Sequence, residues 1–115
     1  MLDSLLARAS EFKDFVTELI KWMAEEGKSF THTERLLYCG MGIYDSLKLA
    51  NNRPDEAESF LVKALNLAEE FNSLFTNMAS LGIITETQST PLLSECLFLM
   101  QEIQLLITES ADNQR

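Results

Sequence analysis

Apolar residues alternate spacings of four and three in four separate stretches of the chain. The first runs through Leu5, Ala9, Phe12, Val16, Leu19 and Met23, and the second through Leu36, Gly40, Ile43, Leu47 and Ala50. The third is Ala57, Leu61, Ala64, Ala68, Phe71, Phe75 and Met78, and the fourth is Leu92, Cys96, Leu99, Ile103 and Leu106. On a helix such positions form one stripe, which buries against a neighbouring helix in knobs-into-holes fashion. No run of alternating apolar and polar residues competes with it as a strand signal.

The residues between the stripes are those that start and stop helices. Gly27 follows the first stripe, where a helix C-terminus favours glycine. Thr31-His32-Thr33-Glu34 has the capping-box pattern, with a Thr hydroxyl for a free amide and a Glu to reach back. Pro54 suits a first helical turn, and Asp55 and Glu56 favour the positive end of the helix dipole. Leu81-Gly82 closes the third helix, and Thr85-Glu86-Thr87-Gln88 is a second capping box, although Pro91 allows a start as late as Thr90. The pattern predicts helices over 2–26, 32–51, 54–80 and 86–109. Short connections make consecutive helices antiparallel. The expected fold class is all-α: an antiparallel up-down-up-down four-helix bundle forming one domain over 1–110, with a frayed polar tail at 111–115.

Several helices carry apolar rows beyond the core stripe. The third has Phe60, Leu67, Leu74 and Leu81, the first adds Phe15 and Trp22, and the fourth adds Leu93, Met100 and Ile107 together with Phe98 and Leu105. A second row means burial on two sides. It is either a wide core-facing stripe or a subunit or partner interface, since monomers seldom expose large apolar patches. Phe60 to Leu81 is the first interface candidate, and Phe15 with Trp22 the second, aromatic anchors being enriched in binding hot spots.

Charge adds a direction to this picture. The 115 residues hold 9 Lys+Arg against 18 Asp+Glu, a net charge of −9. The imbalance is concentrated: no Lys or Arg lies between Ala64 and Gln114, where seven acids stand. Glu95, Glu102 and Glu109 recur every seven residues along one helix face. They form either a solvated face or a docking strip for a basic partner. The acid excess argues against direct nucleic-acid binding, which needs cations on phosphates. With 46% apolar residues the chain is not disordered, and its two Cys do not make a disulfide scaffold. It shows no unbroken apolar run of membrane-spanning length and no signal-peptide pattern at its start, so no membrane partner and a cytoplasmic location are expected.

Catalytic and metal-binding patterns are not found. His32 is the sole histidine, lies in a cap turn and has no nucleophile at a telling spacing. Di-iron bundles need Glu-x-x-His pairs on facing helices, and Arg8 and Arg35 are not followed by a His at the spacing helical RNases use. Glu95, Glu102 and Glu109 are about 10 Å apart along a helix and cannot share one ion. Cys39 and Cys96 read as buried thiols, too few for a zinc site. Gly40 and Gly42 lie inside a helical pattern rather than in a phosphate loop. Close helix approach at Gly40 is the simplest reason for glycine there. No cofactor, no metal and no enzymatic activity are expected.

The stretch from Phe30 to Ile107 resembles the family of small bacterial four-helix-bundle proteins that includes those encoded in ribosomal-RNA intervening sequences and the accessory variability determinants of diversity-generating retroelements. Phe30 and Arg35 flank the second helix start in the family's manner, and Tyr44-Asp45-Ser46-Leu47 with Ala50 is similar to its end. Phe60-Leu61, Ala64-Leu65 and Ala68-Glu69-Glu70 resemble the third helix, Ala79-Ser80-Leu81-Gly82-Ile83-Ile84 the following loop, and Leu93, Glu95 and Ile103 to Ile107 the last helix. The resemblance implies a closed homo-oligomer, typically a pentamer, without enzymatic activity, and in the retroelement branch binding to a reverse transcriptase and its RNA. Leu49-Ala50-Asn51-Asn52 stands where the intervening-sequence branch has small residues, and the base-free second half departs from relatives that work with nucleic acid.

The expected function is therefore that of a non-enzymatic oligomeric accessory or scaffold protein for a larger basic partner, such as a reverse transcriptase or another nucleic-acid enzyme. An acidic helical chaperone for a secretion or flagellar substrate, and a phage-type inhibitor of a nucleic-acid-binding protein, are the alternatives.

Overall fold

The four stripes become the inward faces of four helices. The computed structural model describes residues 2–113. Helix α1 spans Asp3–Glu25, α2 Thr33–Asn52, α3 Ala57–Ser80 and α4 Glu86–Asn113, with one 3₁₀ turn at Pro54–Glu56 ahead of α3. Each helix packs on its sequence neighbour and α4 returns to α1, so the four form the expected up-down-up-down bundle, a rod of 51 × 22 × 21 Å. Helix α3 packs most extensively, against α2 on one side and α4 on the other, whereas the α1–α4 seam is the loosest of the four.

Aromatic rings fill the middle of the rod. Phe12 of α1 meets Phe71 of α3 edge-on at 4.9 Å between centroids, and Phe71 stacks on Phe75 at 5.1 Å. All three rings are buried, in a core that also holds Met23, Ile43, Leu47, Met78, Leu99 and Ile103. The first-stripe residue Leu19 and the fourth-stripe residue Leu106 are only half-buried, at the margin of this core. A stretch of α4, Glu86–Ala111, is long and apolar enough by composition to cross a membrane, although no unbroken apolar run marks it in the sequence. Here its stripe Leu92, Cys96, Leu99 and Ile103 is buried in the bundle.

The helix ends follow local chemistry, with three departures from expectation. Gly27 takes φ 70° and Gly82 φ 76°, the left-handed conformation glycine adopts at no steric cost. After α1 the Gly27 amide donates to the Ala24 carbonyl and the Lys28 amide to the Met23 carbonyl, the Schellman pattern. At α4 the Thr85–Gln88 capping box forms: the Thr85 amide donates to Gln88 Oε1 at 2.9 Å and the Gln88 amide to Thr85 Oγ1 at 3.2 Å. The first departure is at α2, where Thr31 and Glu34 form no box. There Thr33 Oγ1 donates to the Phe30 carbonyl at 2.7 Å, closing the turn one residue into the helix. The second is at Pro91, which lies inside α4 instead of delaying its start. It removes one helical N–H at an exposed position, and the capping box upstream compensates. The third is at the other end: α4 continues past Ser110 to Asn113, so Ala111 to Asn113 are helical. Gln114 and Arg115 of the expected tail lie outside the described residues.

The close helix approach is at Gly42 rather than Gly40. A methyl group on Gly40 would stand 3.5 Å from Val16, an ordinary contact, while one on Gly42 would stand 2.7 Å from a terminal carbon of Leu67. Replacing helical glycine by alanine gains about 0.5–1 kcal/mol where the methyl fits. Gly40→Ala is therefore expected to stabilise the protein by that amount. Gly42→Ala is expected to gain less or lose, because Leu67 must move. Chemical denaturation of both variants checks the order, and the reverse order would put the tight approach at Gly40.

Candidate protein-interaction surface

The sequence candidates separate into those the fold uses internally and those it leaves facing outward. In the α3 row, Leu67 is 6% exposed and lies against Gly42 of α2, and Phe60 and Leu74 are half-buried against the core. Leu81, at the end of α3, is 63% exposed. On α1, Trp22 is half-buried beneath the Lys28 ammonium, 5.7 Å from the ring centroid, while Phe15 is 62% exposed.

Phe15 stands at the edge of a groove of about 480 Å³ between α1 and α4. Helix α1 contributes Arg8, Glu11, Phe12, Phe15 and Leu19, and α4 contributes Gln88, Pro91, Leu92 and Glu95. The helical period explains the set. Residues 8, 11 and 15 fall on the flank of α1 beside its core stripe, with Leu19 at that stripe's margin, and 88, 91 and 95 on the facing flank of α4. The structure thus brings Phe15 of the α1 row and Glu95 of the α4 acids, read as separate features in the sequence, to one seam.

Arg8 ties that seam at one end. Its guanidinium donates from Nε to Glu95 Oε1 at 2.8 Å and from an Nη to Glu95 Oε2 at 2.7 Å, and it lies over the Phe98 ring at 3.4 Å from the centroid. The fork-on-carboxylate geometry fixes both side chains. The hydrogen bonds with Glu95, then the fields of Glu95, Glu102 and Glu11, outweigh its partial desolvation and hold the Arg8 proton more tightly than usual. The row Glu95, Glu102 and Glu109 is consequently not uniform: Glu95 is engaged by Arg8, Glu102 is half-buried and Glu109 is exposed. Alongside it, Phe98 is half-buried and Leu105 is 56% exposed.

A second bidentate pair lies on the other side of the molecule. Arg35 of α2 donates to both Glu70 oxygens, with an Nη at 2.6 Å from Oε1, and its guanidinium sits 4.5 Å from the Tyr38 ring centroid. This pair joins α2 to α3 and accounts for Arg35 and Glu70 structurally. Tyr38 and Met41, both about half exposed, continue outward from it on α2.

The groups that could carry chemistry are not assembled for it. His32 is exposed at the N-cap of α2, with its ring 5.5 Å from Phe30. Among the described residues no three His, Cys, Asp or Glu side chains are grouped to hold a metal ion. Cys39 and Cys96 are free and buried; Cys96 Sγ donates to the Ala68 carbonyl at 3.3 Å. Burial pushes the Cys96 thiol up to about 12 and Cys39 up to about 11, where the nucleophilic thiolate is scarce at neutral pH.

Sequence reading missed Arg8, Glu11, Leu19, Gln88, Pro91 and Leu92 as a joint surface. Arg8 and Glu95 are separated by 87 positions, and no local spacing announces such a pair. The one available signal is the seven-residue step from Arg8 to Phe15.

The chain matches no protein-family model and no curated protein sequence. Its structure is similar to the 1.70 Å crystal structure of a protein of unknown function from the S23 ribosomal protein family from Bacteroides thetaiotaomicron VPI-5482. The TM-score is 0.82 at 21% sequence identity, over 89% of this chain and 96% of that one. At that identity the likeness establishes the fold: both chains are the same small helical bundle.

Two outcomes follow from these environments. Arg35 holds the Glu70 carboxyl below the usual carboxylate range, so the pair contributes stability in full above the ordinary carboxylate pKa, and that contribution is lost as pH falls through the depressed value. Glu70→Gln should therefore flatten the acid side of the stability–pH curve and leave its slope near pH 7 unchanged. Both thiols should resist alkylation at pH 8 in the folded protein and react fully once it is denatured, as read by mass spectrometry. Rapid labelling of the native protein would mean that the core opens.

Proposed function

We propose that the protein is a non-enzymatic accessory subunit of the small bacterial four-helix-bundle family it resembles, working as a homo-oligomer and holding a larger, basic protein. The observation that carries this reading is the α1–α4 seam, where exposed Phe15 borders an apolar groove rimmed by Glu11 and Glu95. Exposed apolar surface of this kind is where soluble proteins meet partners. The absence of any Lys or Arg between Ala64 and Gln114 gives the α4 side of that surface one sign of charge, which steers a cationic partner and repels an anionic one. A polymerase of the reverse-transcriptase kind is such a cationic partner, and the acid face favours contact with the protein over contact with its nucleic acid.

Self-association uses other surface. Pairing two copies groove to groove would set carboxylates against carboxylates. Tyr38 and Met41 on α2, with Leu81 at the end of α3, offer apolar area elsewhere. The fold shared with the S23-family protein at TM-score 0.82 supports the family assignment, as do Arg35, Glu70 and Glu95 at the positions of the resemblance.

Analytical ultracentrifugation should give a closed oligomer, pentameric by the resemblance. A monomer without concentration dependence would remove the oligomeric half of the reading. Affinity purification from the native host should yield a basic protein. Glu102→Lys with Glu109→Lys, which spares the structural Arg8–Glu95 pair, should weaken its retention without changing the melting profile. Unchanged retention would reduce the strip to solvated surface.

A further inference from the structure

We infer that the groove between α1 and α4 receives the apolar face of a basic amphipathic helix belonging to the partner protein. The inference rests on the accessory-subunit reading and adds to it the site and the chemistry of the segment bound. Phe15, Leu19, Pro91 and Leu92 supply apolar walls, with Phe12 beneath them. The lining runs from Arg8 to Leu19 along α1, about three helical turns. Two antiparallel helices with a groove between them over this length offer a trough into which a third helix can pack, with anchors at i, i+3 or i+4 and i+7.

Charge selects the occupant. The rim carries Glu11 on α1 and Glu95 on α4, and the field of Glu102 reaches the same place, since it acts on Arg8. Arg8 is the base lining the groove, and its Nε and one Nη are committed to Glu95. Among the described residues no ion pair engages Glu11 or Glu102. A helix with Lys or Arg flanking its apolar stripe would meet these carboxylates while its anchors displace water from Phe15 and Leu19. A second copy entering by the same face would set one net-negative surface, Arg8 against Glu11, Glu95 and Glu102, on another, so the charge favours the cationic helix.

The test uses the full chain and a synthetic amphipathic peptide of about five helical turns, with Leu on one face and Lys on the other. A second peptide carries Glu in place of every Lys. Calorimetry should show saturable binding of the Lys peptide and none of the Glu peptide. Amide resonances around Phe15, Leu19, Gln88 and Leu92 should shift. Phe15→Ala removes an exposed ring and should leave the circular-dichroism melt unchanged while weakening binding about tenfold or more. Tyr38→Ala, on an exposed site elsewhere, should bind as the parent does.

Equal effects of the two substitutions, equal binding of the two peptides, or shifts centred away from the seam would overturn the inference. Self-association abolished by Phe15→Ala would also overturn it, by assigning the groove to a second copy. A native basic partner retained equally by Phe15→Ala sinks the groove and leaves the accessory reading standing. Peptide binding at the seam with no basic partner from the host supports the groove and sinks the accessory reading.

Discussion

The packing of Phe71 against Phe12 and Phe75 is the contact on which the shape of the molecule depends. Helix α3 has a neighbour on both sides, and through Phe71 it also reaches across the bundle to α1. That diagonal contact secures α1 from inside, together with its packing on α2. Burying one such ring is worth on the order of 2–3 kcal/mol, so α1 stays in place without an extensive contact with α4. The seam that closes the bundle can therefore be loose, and a groove persists there.

What keeps the seam from falling apart is polar and local. Arg8 bridges it through Glu95 and Phe98 at the Arg8 end of the groove, while the Leu19 and Gln88 end has no comparable tie among the described bonds. The corresponding pair of Arg35 and Glu70 spans α2 and α3, where apolar packing is already extensive. The same bidentate chemistry thus reinforces a tight contact on one side and substitutes for a sparse one on the other.

Features set by neighbours in the sequence were legible, and features set by distant residues were not. The four stripes, the glycine stops at Gly27 and Gly82 and the Thr85–Gln88 box all lie within a turn or two of the residues they organise. At α2 the start lies within one residue of expectation, but the cap was misread: the Thr31–Glu34 box does not form, and Thr33 bonds the Phe30 carbonyl instead. The α3 row could not be resolved from spacing alone: Leu67 is core because Gly42, 25 positions earlier, leaves room for it. The tight glycine was placed at Gly40 for the same reason, since both glycines look alike until the opposing side chain is known. At the seam, Phe15 and the α4 acids were each visible, but their meeting depends on Arg8 and on how α1 sits over α3.

Charge and apolar surface act in opposite senses at the groove. Drawing α1 and α4 together over their whole length would press Glu11 toward Glu95 and bring Glu102 nearer, while Arg8, the base lining the groove, already pairs with Glu95. Apolar attraction between Phe15, Leu19 and Leu92 favours closure, and carboxylate repulsion with carboxylate desolvation opposes it. A cationic helix changes both terms in the same direction, covering the apolar walls and neutralising the rim. In the proposed complex one kind of partner would relieve both. The fold is shared with a protein of 21% identity, so that likeness speaks to the bundle and not to the combination of residues at the seam.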